Sequence, residues 1–539
     1  GSPGVREASV MGTEPSVKSL VAVRCAALTA GMTPLWKTDV SAPTGTPFEP
    51  GRRHDVVIVG AGLTGLATAL ELVRSGMDVA IVERGGIGEL ASGSNTGKIS
   101  LLQGTTLSSL RRHHPASLVR AYADANRDGF EWITRAADEL GVSTTVRTAY
   151  TYAHGADGVA SVTEEYRAAR EAGLAVRLAG PEELAAGPVR MVSAVALDDQ
   201  RAIDPMSLLT ALATAFVAAG GRLHLNTAVR RVRVVPRPRV DTEAGTLFAA
   251  KIVLATGAPL TDRGLYFAKV SGMRSACVSF DLEGEVPDGM YLSADSPTRS
   301  VRTVTAADGA GGGTDAAPQL IVGGAGHPVG RVESELAMLE ELVTWARETF
   351  PVGTETHRWS AQDYTSHNLV PFIGVMPRSL GRVRFATGYA KWGLTNAPAA
   401  ALRIASELRG EKMRERPTWM TVIGTRLTVP ADLARGATEN AKVGAAAARG
   451  WVGAATRSTP VEQPAEGQGT VAQHHARPVG VSTVDGQTRA VSAICPHLGG
   501  VLEWNDLECT WDCPLHASRF TPDGERIEGP ASTGLRRLG

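Results

Sequence analysis

Residues 54 to 86, HDVVIVGAGLTGLATALELVRSGMDVAIVERGG, leave the chain few choices of fold. Asp55–Val59 is an apolar, β-branched run that suits a buried strand. Gly60, Gly62 and Gly65 follow, apolar residues recur at helical spacing to Leu72, Gly76 stops the helix, and Val79–Val82 makes a second strand ending at Glu83. This is a βαβ unit built for a dinucleotide. Gly60 permits the tight turn, Gly62 lets the backbone approach a pyrophosphate, and Gly65 lets helix and strand pack closely. Leu63 and Thr64 open the helix, whose N–H groups and positive dipole end face the phosphates. Glu83 stands where a carboxylate accepts from ribose hydroxyls, with Arg84 beside it. A lone GxGxxG is a weak signal. With both strands, the helix and the acidic residue in place, a ligand-free glycine turn is a poor competitor.

At 539 residues the chain has room for several domains, and its 43% hydrophobic, 20% charged composition is that of a globular protein. Its 55 basic residues balance its 55 acidic ones, which removes the field that would attract nucleic acid or an anionic membrane. No run approaches the roughly 20 apolar residues of a membrane span. The nearest, SLVAVRCAALTAGM from Ser19, is broken by Arg24 and is not read as a signal peptide. Five cysteines are too few and too clustered for a disulfide framework, which points to a reducing, cytoplasmic setting and to metal or redox use. Residues 1 to about 32 are set aside as partly an expression remnant, with Met32 a candidate native start.

The middle of the chain alternates helix and strand without repeats. PMSLLTALATAFVAAGGRLHLNT reads as helix, glycine stop and strand. RRVRVVPRPR, from Arg230, reads as a strand with solvent-facing arginines rather than a basic patch. ADGAGGGTDAAPQ, from Ala307, reads as a surface loop, and residues 436–469 as a docking segment followed by a linker.

Near the C-terminus, ICPHLGGVLEWNDLECTWDCPLHASRF holds three of the five cysteines and two of the 12 histidines. It resolves into C-x-H at Cys495 and His497, then, after a spacer, C-x-x-H at Cys513 and His516. Two thiolates and two imidazoles could make a tetrahedral zinc site, but zinc fingers usually pair like with like. One Cys and one His on each of two loops suits a 2Fe-2S cluster with both Cys on one iron and both His on the other. Cys509 is left as a small, partly buried apolar residue.

CPHLGG, WDCPLH and SRFTPDGERIEGPA together resemble the two cluster loops and closing strands of Rieske domains. Many Rieske domains join their loops by a disulfide at the positions of Gly500 and Leu515, which this chain cannot form. Ser518 keeps a hydroxyl donor for a cluster sulfur, whereas Phe520 replaces a Tyr donor. Fewer donors stabilise the reduced state less, which predicts a potential in the low part of the range of about −150 to +300 mV. Ala517, in place of the usual Gly, has no explanation at this level.

The preceding segments ASGSNTGKISLLQG, VALDDQRAIDP, LNTAV, AAKIVLATGAP, HRWSAQDYTSHNLVPFIG and FATGYAKWGLTNA resemble, in that order, the FAD-dependent D-amino-acid oxidase and glycine oxidase superfamily, in its bacterial branch fused to a Rieske domain. The resemblance covers residues of about 34 to 539. It implies an α/β fold, with a GR2-type, Rossmann-like FAD domain and an antiparallel-sheet substrate domain, followed by a small all-β Rieske domain. The corresponding division is a tail at 1–50, an FAD domain at 51–150, 195–265 and 355–415, a substrate domain at 151–194 and 266–354, a docking segment and linker at 416–468, and the Rieske domain at 469–539.

By the same resemblance Val229 binds adenine through its backbone, Ala255, Thr256 and Gly257 end a strand beside the dinucleotide, and Gly388, Lys391, Trp392, Gly393 and Leu394 lie near the isoalloxazine ring at a helix start. Lys98 approaches the flavin, and Lys391 biases it toward its anionic reduced form. Arg302 lies on a strand that lines the substrate pocket in relatives, where a guanidinium pairs with a carboxylate; a solvent-facing strand arginine is the equal alternative. Tyr364, Asp363 and His327 are further pocket candidates, and His113 and His114 read as solvated.

The expectation is an amine or amino-acid oxidoreductase that uses FAD and hands electrons singly to the cluster and on to a one-electron protein partner. One alternative runs the wire inward, from a reductase through the cluster to a flavin that activates oxygen or reduces a substrate. Another is an electron-transfer or redox-sensing flavoprotein without turnover. Neither substrate nor acceptor is legible.

Overall fold

The computed structural model describes residues 32–37, 41–308, 317–425, 430–456, 463–475 and 477–538. Most of the glycine-rich stretch after Ala307 and the apolar stretch from Ser19 lie outside the described residues. Arg53–Val59 and Val79–Val82 pair in parallel, and Arg53–Val59 pairs in parallel with Gly245–Leu254 on its other side. The sheet reads Phe372–Val375, Val383–Thr387, Gly245–Leu254, Arg53–Val59, Val79–Val82, Arg222–His224 in spatial order. Both its faces are covered, which is why Val56–Val59 and Val79–Val82 are continuous buried apolar runs with no alternation. The arginine-rich segment forms the hairpin Val229–Arg233 and Arg239–Thr242, and Arg230 and Arg233 pair at the surface with Glu243 and Asp241.

The crossover helix Leu63–Arg74 leans on the sheet through its glycines. A Cβ on Gly60, whose φ is +108°, would lie 2.5 Å from the Ala255 carbonyl oxygen, and one on Gly65 would lie 2.0 Å from that of Gly60. Only glycine fits either place. Helix Pro205–Ala218 starts where Asp204 accepts from the N–H groups of Met206 and Ser207, with Pro205 at its first turn.

The second sheet has nine strands, in the order Val352–Ser366, Val270–Leu282, Gln319–Pro328, Ser300–Val304, Met290–Ser293, Thr144–Ala153, Ser193–Ile203, Lys98–Ile99, with Arg177–Leu178 beside Ser193–Ile203. Strands 144–153, 193–203 and 352–366 thus hydrogen-bond into this sheet, although much of their length falls within the segments expected in the dinucleotide domain. A strand's pattern states that it is half-buried and not which sheet it joins.

The helix Pro430–Thr456 links the layers to the C-terminal part. Asn440 donates to the Ala268 carbonyl and Trp451 to that of Gly499. Beyond it stand a three-stranded sheet, Gly469–His474, Arg477–Val484 and Gln487–Ser492, and a four-stranded one, Glu503–Asn505, Thr510–Asp512, Arg519–Phe520 and Arg526–Glu528. Among the described residues no helix is long and apolar enough to cross a membrane.

Candidate functional site

A cavity of about 530 Å³ is lined from both large sheets. One end is the nucleotide motif: Gly60, Gly62, Leu63, Thr64, Glu83, Arg84 and Val229 line it, and Gly65 stands behind as a packing residue. The Glu83 carboxylate accepts from the N–H groups of Ala61 and Gly85, at 2.8 and 2.9 Å, while burial pushes its pKa up. Each oxygen keeps a further lone pair for a hydroxyl. Ala255, Thr256 and Gly257 line the middle, and Gly388, Lys391, Trp392, Gly393 and Leu394 the far end. Ala390 and Lys391 are both left-handed, with φ of +49° and +74°. This is strain of the kind proteins accept at working sites. Helix Gly393–Arg409 then begins without a side-chain cap, so its first N–H groups are available to an anionic ligand.

Two ammonium groups, Lys98 and Lys391, line this far end with Ser275, Cys277 and Ser300. Lys98 Nζ donates to Ser300 Oγ. Burial, with Arg302 adding like charge, lowers Lys98 to about 8. Cys277 is pushed up to about 12, chiefly by burial, so it is a neutral thiol. Asp363 is raised to about 6 by burial, against the pull of Lys391.

Arg302 is a correction. It is 1% exposed and absent from the cavity wall; Nη1 donates to the Gly97 carbonyl at 2.6 Å, Nη2 lies 3.8 Å from Asp308, and the guanidinium lies over Trp36. Ser300 on the same strand does line the cavity, but the Arg302 guanidinium is sealed off from it beside Asp308. His327 is likewise outside the cavity, with Nε2 3.0 Å from Glu335. His114, read as solvated, is buried, its Nε2 2.6 Å from the Asn368 carbonyl oxygen. Tyr364 does line the cavity, and burial holds its phenol far above the usual range, so the hydroxyl is neutral there.

The C-terminal loops bring their four residues together in two pairs. Cys495 and Cys513 are buried with their thiols in hydrogen-bond contact, and the rings of His497 and His516 are 5.2 Å apart. Backbone N–H groups of His497 and Leu498 point at the Cys495 sulfur, those of Leu515 and His516 at the Cys513 sulfur, and the Ser518 hydroxyl reaches Cys495. Nδ1 of His516 is buried without a partner. No three His, Cys, Asp or Glu side chains among the described residues converge as ligands of a single ion. A thiol pair beside an imidazole pair instead fits a two-iron cluster, with Cys495 and Cys513 holding one iron and His497 and His516 the other. Where many Rieske domains carry the disulfide, Leu515 packs so closely on Gly500 that a Cβ there would lie 2.6 Å from its Cδ1.

The two sites share a wall that the sequence did not reveal. Gln362 Nε2 donates to Tyr364 Oη at 3.0 Å and to the Ala517 carbonyl at 2.9 Å, joining a cavity residue to the second cluster loop. Phe267 meets the rings of His497 and His516 edge-on, at 4.8 and 4.9 Å. Arg526, Ile527 and Glu528, from the last strand of the chain, line the cavity itself. Ala517 is explained here: it is left-handed, at φ +60°, and its methyl lies 2.2 Å from where a Cβ of Gly272 would stand, so alanine fills what two glycines would leave empty.

A dinucleotide sheet and an antiparallel sheet around one cavity, with a cysteine–histidine domain against its wall, define a flavin-dependent oxidoreductase that carries an iron–sulfur domain. Residues 55–407 match the model of the DAO family, FAD dependent oxidoreductase, and residues 456–538 that of the Rieske [2Fe-2S] domain, so the chain belongs to the DAO family and carries a C-terminal Rieske domain. The DAO domain binds FAD and the Rieske domain a 2Fe-2S cluster. The protein YhfW of Bacillus subtilis (strain 168) is 28% identical over 93% of this chain and 97% of its own. Glycine oxidase from Geobacillus kaustophilus superposes with a TM-score of 0.58 at 20% identity, covering 70% of this chain and 100% of that one. An L-amino acid deaminase from Proteus vulgaris gives 0.56 at 18%, covering 72% and 97%.

Proposed function

We propose that the protein oxidises an amine or amino-acid-like small molecule by hydride transfer to FAD and passes the electrons through the Rieske cluster to a one-electron protein partner, in the cytoplasm. The observation that carries the reading is the shared wall: the last strand of the chain lines the cavity that holds the GxGxxG turn, and Gln362 ties that cavity to the second cluster loop. A carrier domain with no substrate of its own has a use in that position. Bound FAD supplies the two-electron acceptor and the bound cluster the one-electron carrier.

This chain's residues then do the rest. Gly60, Gly62 and the start of the first helix hold the phosphates, Glu83 the ribose, and Val229, Ala255, Thr256 and Gly257 the flank of the dinucleotide. Lys98 and Lys391 face the reacting end as two ammonium groups and receive the carboxylate of an amino-acid-like substrate, a task from which Arg302, buried outside the cavity wall, is removed. Glycine oxidase and L-amino acid deaminase, whose folds are similar, are named for amino acids. The test is anaerobic. The protein loaded with both cofactors is mixed with a panel of amines and amino acids, and the flavin and cluster bands are followed together. Bleaching of the flavin and then of the cluster is expected. Reduction only by a reductase, with the cluster first and the flavin after it, overturns the reading.

A further inference from the structure

The last strand, Arg526–Glu528, belongs to the Rieske domain, yet it lines the cavity at its nucleotide end. Its contact there is with the residue beside the ribose-site acid: Arg84 Nη1 donates to the Arg526 carbonyl at 3.1 Å. The Arg526 side chain spends one nitrogen, Nη2, on the Gly529 carbonyl at 3.2 Å, and its Nε is buried without a partner. Among the described residues the nearby carboxylates are each bonded to another group. Glu528 bonds Arg519 at 2.6 Å, Glu83 accepts from two backbone N–H groups, Glu243 holds Arg230, and Glu89 lies 4.0 Å from Arg84. Burial, and next the like charge of Arg84, press the Arg526 guanidinium below its usual range.

Arg526 is partly exposed on the cavity wall and forms no ion pair among the described residues, Glu528 attracting it while bonded to Arg519, so an anionic ligand of the cavity supplies the counterion it lacks. The ligand of this cavity, FAD, carries a diphosphate in its nucleotide half. We propose that Arg526 is an FAD-binding residue contributed by the Rieske domain, its guanidinium serving the ADP half of the dinucleotide. FAD binding and docking of the Rieske domain are then coupled, each strengthening the other by the same factor. The FAD site is complete only when the last strand of the chain is in place.

The test uses the full chain with its cluster intact, deflavinated and titrated with FAD while flavin fluorescence is read. Arg526→Gln is expected to raise the FAD dissociation constant by about tenfold or more, to weaken ADP measured as a competitor by the same factor, and to leave the visible circular dichroism of the cluster unchanged. Arg526→Lys restores most of the affinity. Arg537→Gln, at an exposed residue of the same domain, leaves it unchanged. FAD also slows hydrogen exchange over residues 519–529 in the unsubstituted protein, and Arg526→Gln removes that protection. An FAD affinity within twofold of the unsubstituted protein overturns the proposal, as does a loss confined to FAD with ADP unaffected. These readouts need no turnover, so they fail or succeed independently of the substrate assignment.

Discussion

Lys98 carries a charge that alkaline pH switches inside the cavity, as Asp363 carries one that acid switches. Burial, with Arg302 adding like charge, brings Lys98 from 10.5 to about 8. The ammonium is therefore present at neutral pH and lost as pH rises through about 8. Sulfite, which binds flavins as an anion, reports that charge: its dissociation constant should climb as pH rises through this value. Lys98→Met should abolish the inflection and weaken sulfite at pH 7 by about tenfold, equivalent to about 1.4 kcal/mol. An unchanged profile in the variant would refute the assignment. For stability, the folded state holds this proton less tightly than the unfolded chain does, so the cost of Lys98 is full below about pH 8 and fades toward 10.5. Lys98 was legible because a cation directly before the apolar ISLL is ill placed for a surface. Arg302 was not, because its strand pattern says nothing of the Gly97 carbonyl that it bonds.

Between elements, the critical contact is strand Val270–Leu282 against the second cluster loop, where Gly272 faces the Ala517 methyl. An alanine in the left-handed region costs about 1–2 kcal/mol, and the methyl offsets part of that by filling the interface. Gly272→Val should overpack it, at about 1–3 kcal/mol. We expect a lower melting temperature and faster hydrogen exchange in residues 513–518, with the visible spectrum of the cluster retained. Unchanged exchange there would show that the loop does not rest on this strand. The cluster loops themselves were readable, since Cys495, His497, Cys513 and His516 fall at the spacing that produces the observed pairs. Their seat on the flavoprotein was not, because Gly272 and Gln362 look ordinary until a distant loop is folded onto them.

Across the whole molecule, the Rieske domain is fastened to the flavoprotein by buried charge. Arg274, from strand Val270–Leu282, is 0% exposed, and its Nη1 lies 3.1 Å from Glu508, 3.6 Å from Glu335 and 3.7 Å from Asp512. Arg519 joins from the other side, paired with Glu508 and, at 2.6 Å, with Glu528. Burial alone would raise Glu508, but Arg274 and Arg519 outweigh it and hold the carboxyl at about 2. A carboxylate depressed from 4.5 contributes stability that is present above pH 4.5 and lost as pH falls toward 2. Arg274→Met leaves three carboxylates short of a cation, at a cost of about 3–5 kcal/mol. Glu508 then titrates higher, so the variant should lose its tertiary circular dichroism at a higher pH during acid titration than the unsubstituted protein. The expected order is loss of domain docking first, seen as cluster loops opening to hydrogen exchange, and loss of the flavoprotein fold at lower pH. If Arg274→Met and the unsubstituted protein unfold at the same pH, the network is not what fixes the domain. The contacts of Gln362 and Phe267 would then have to hold the cluster loops against the cavity wall.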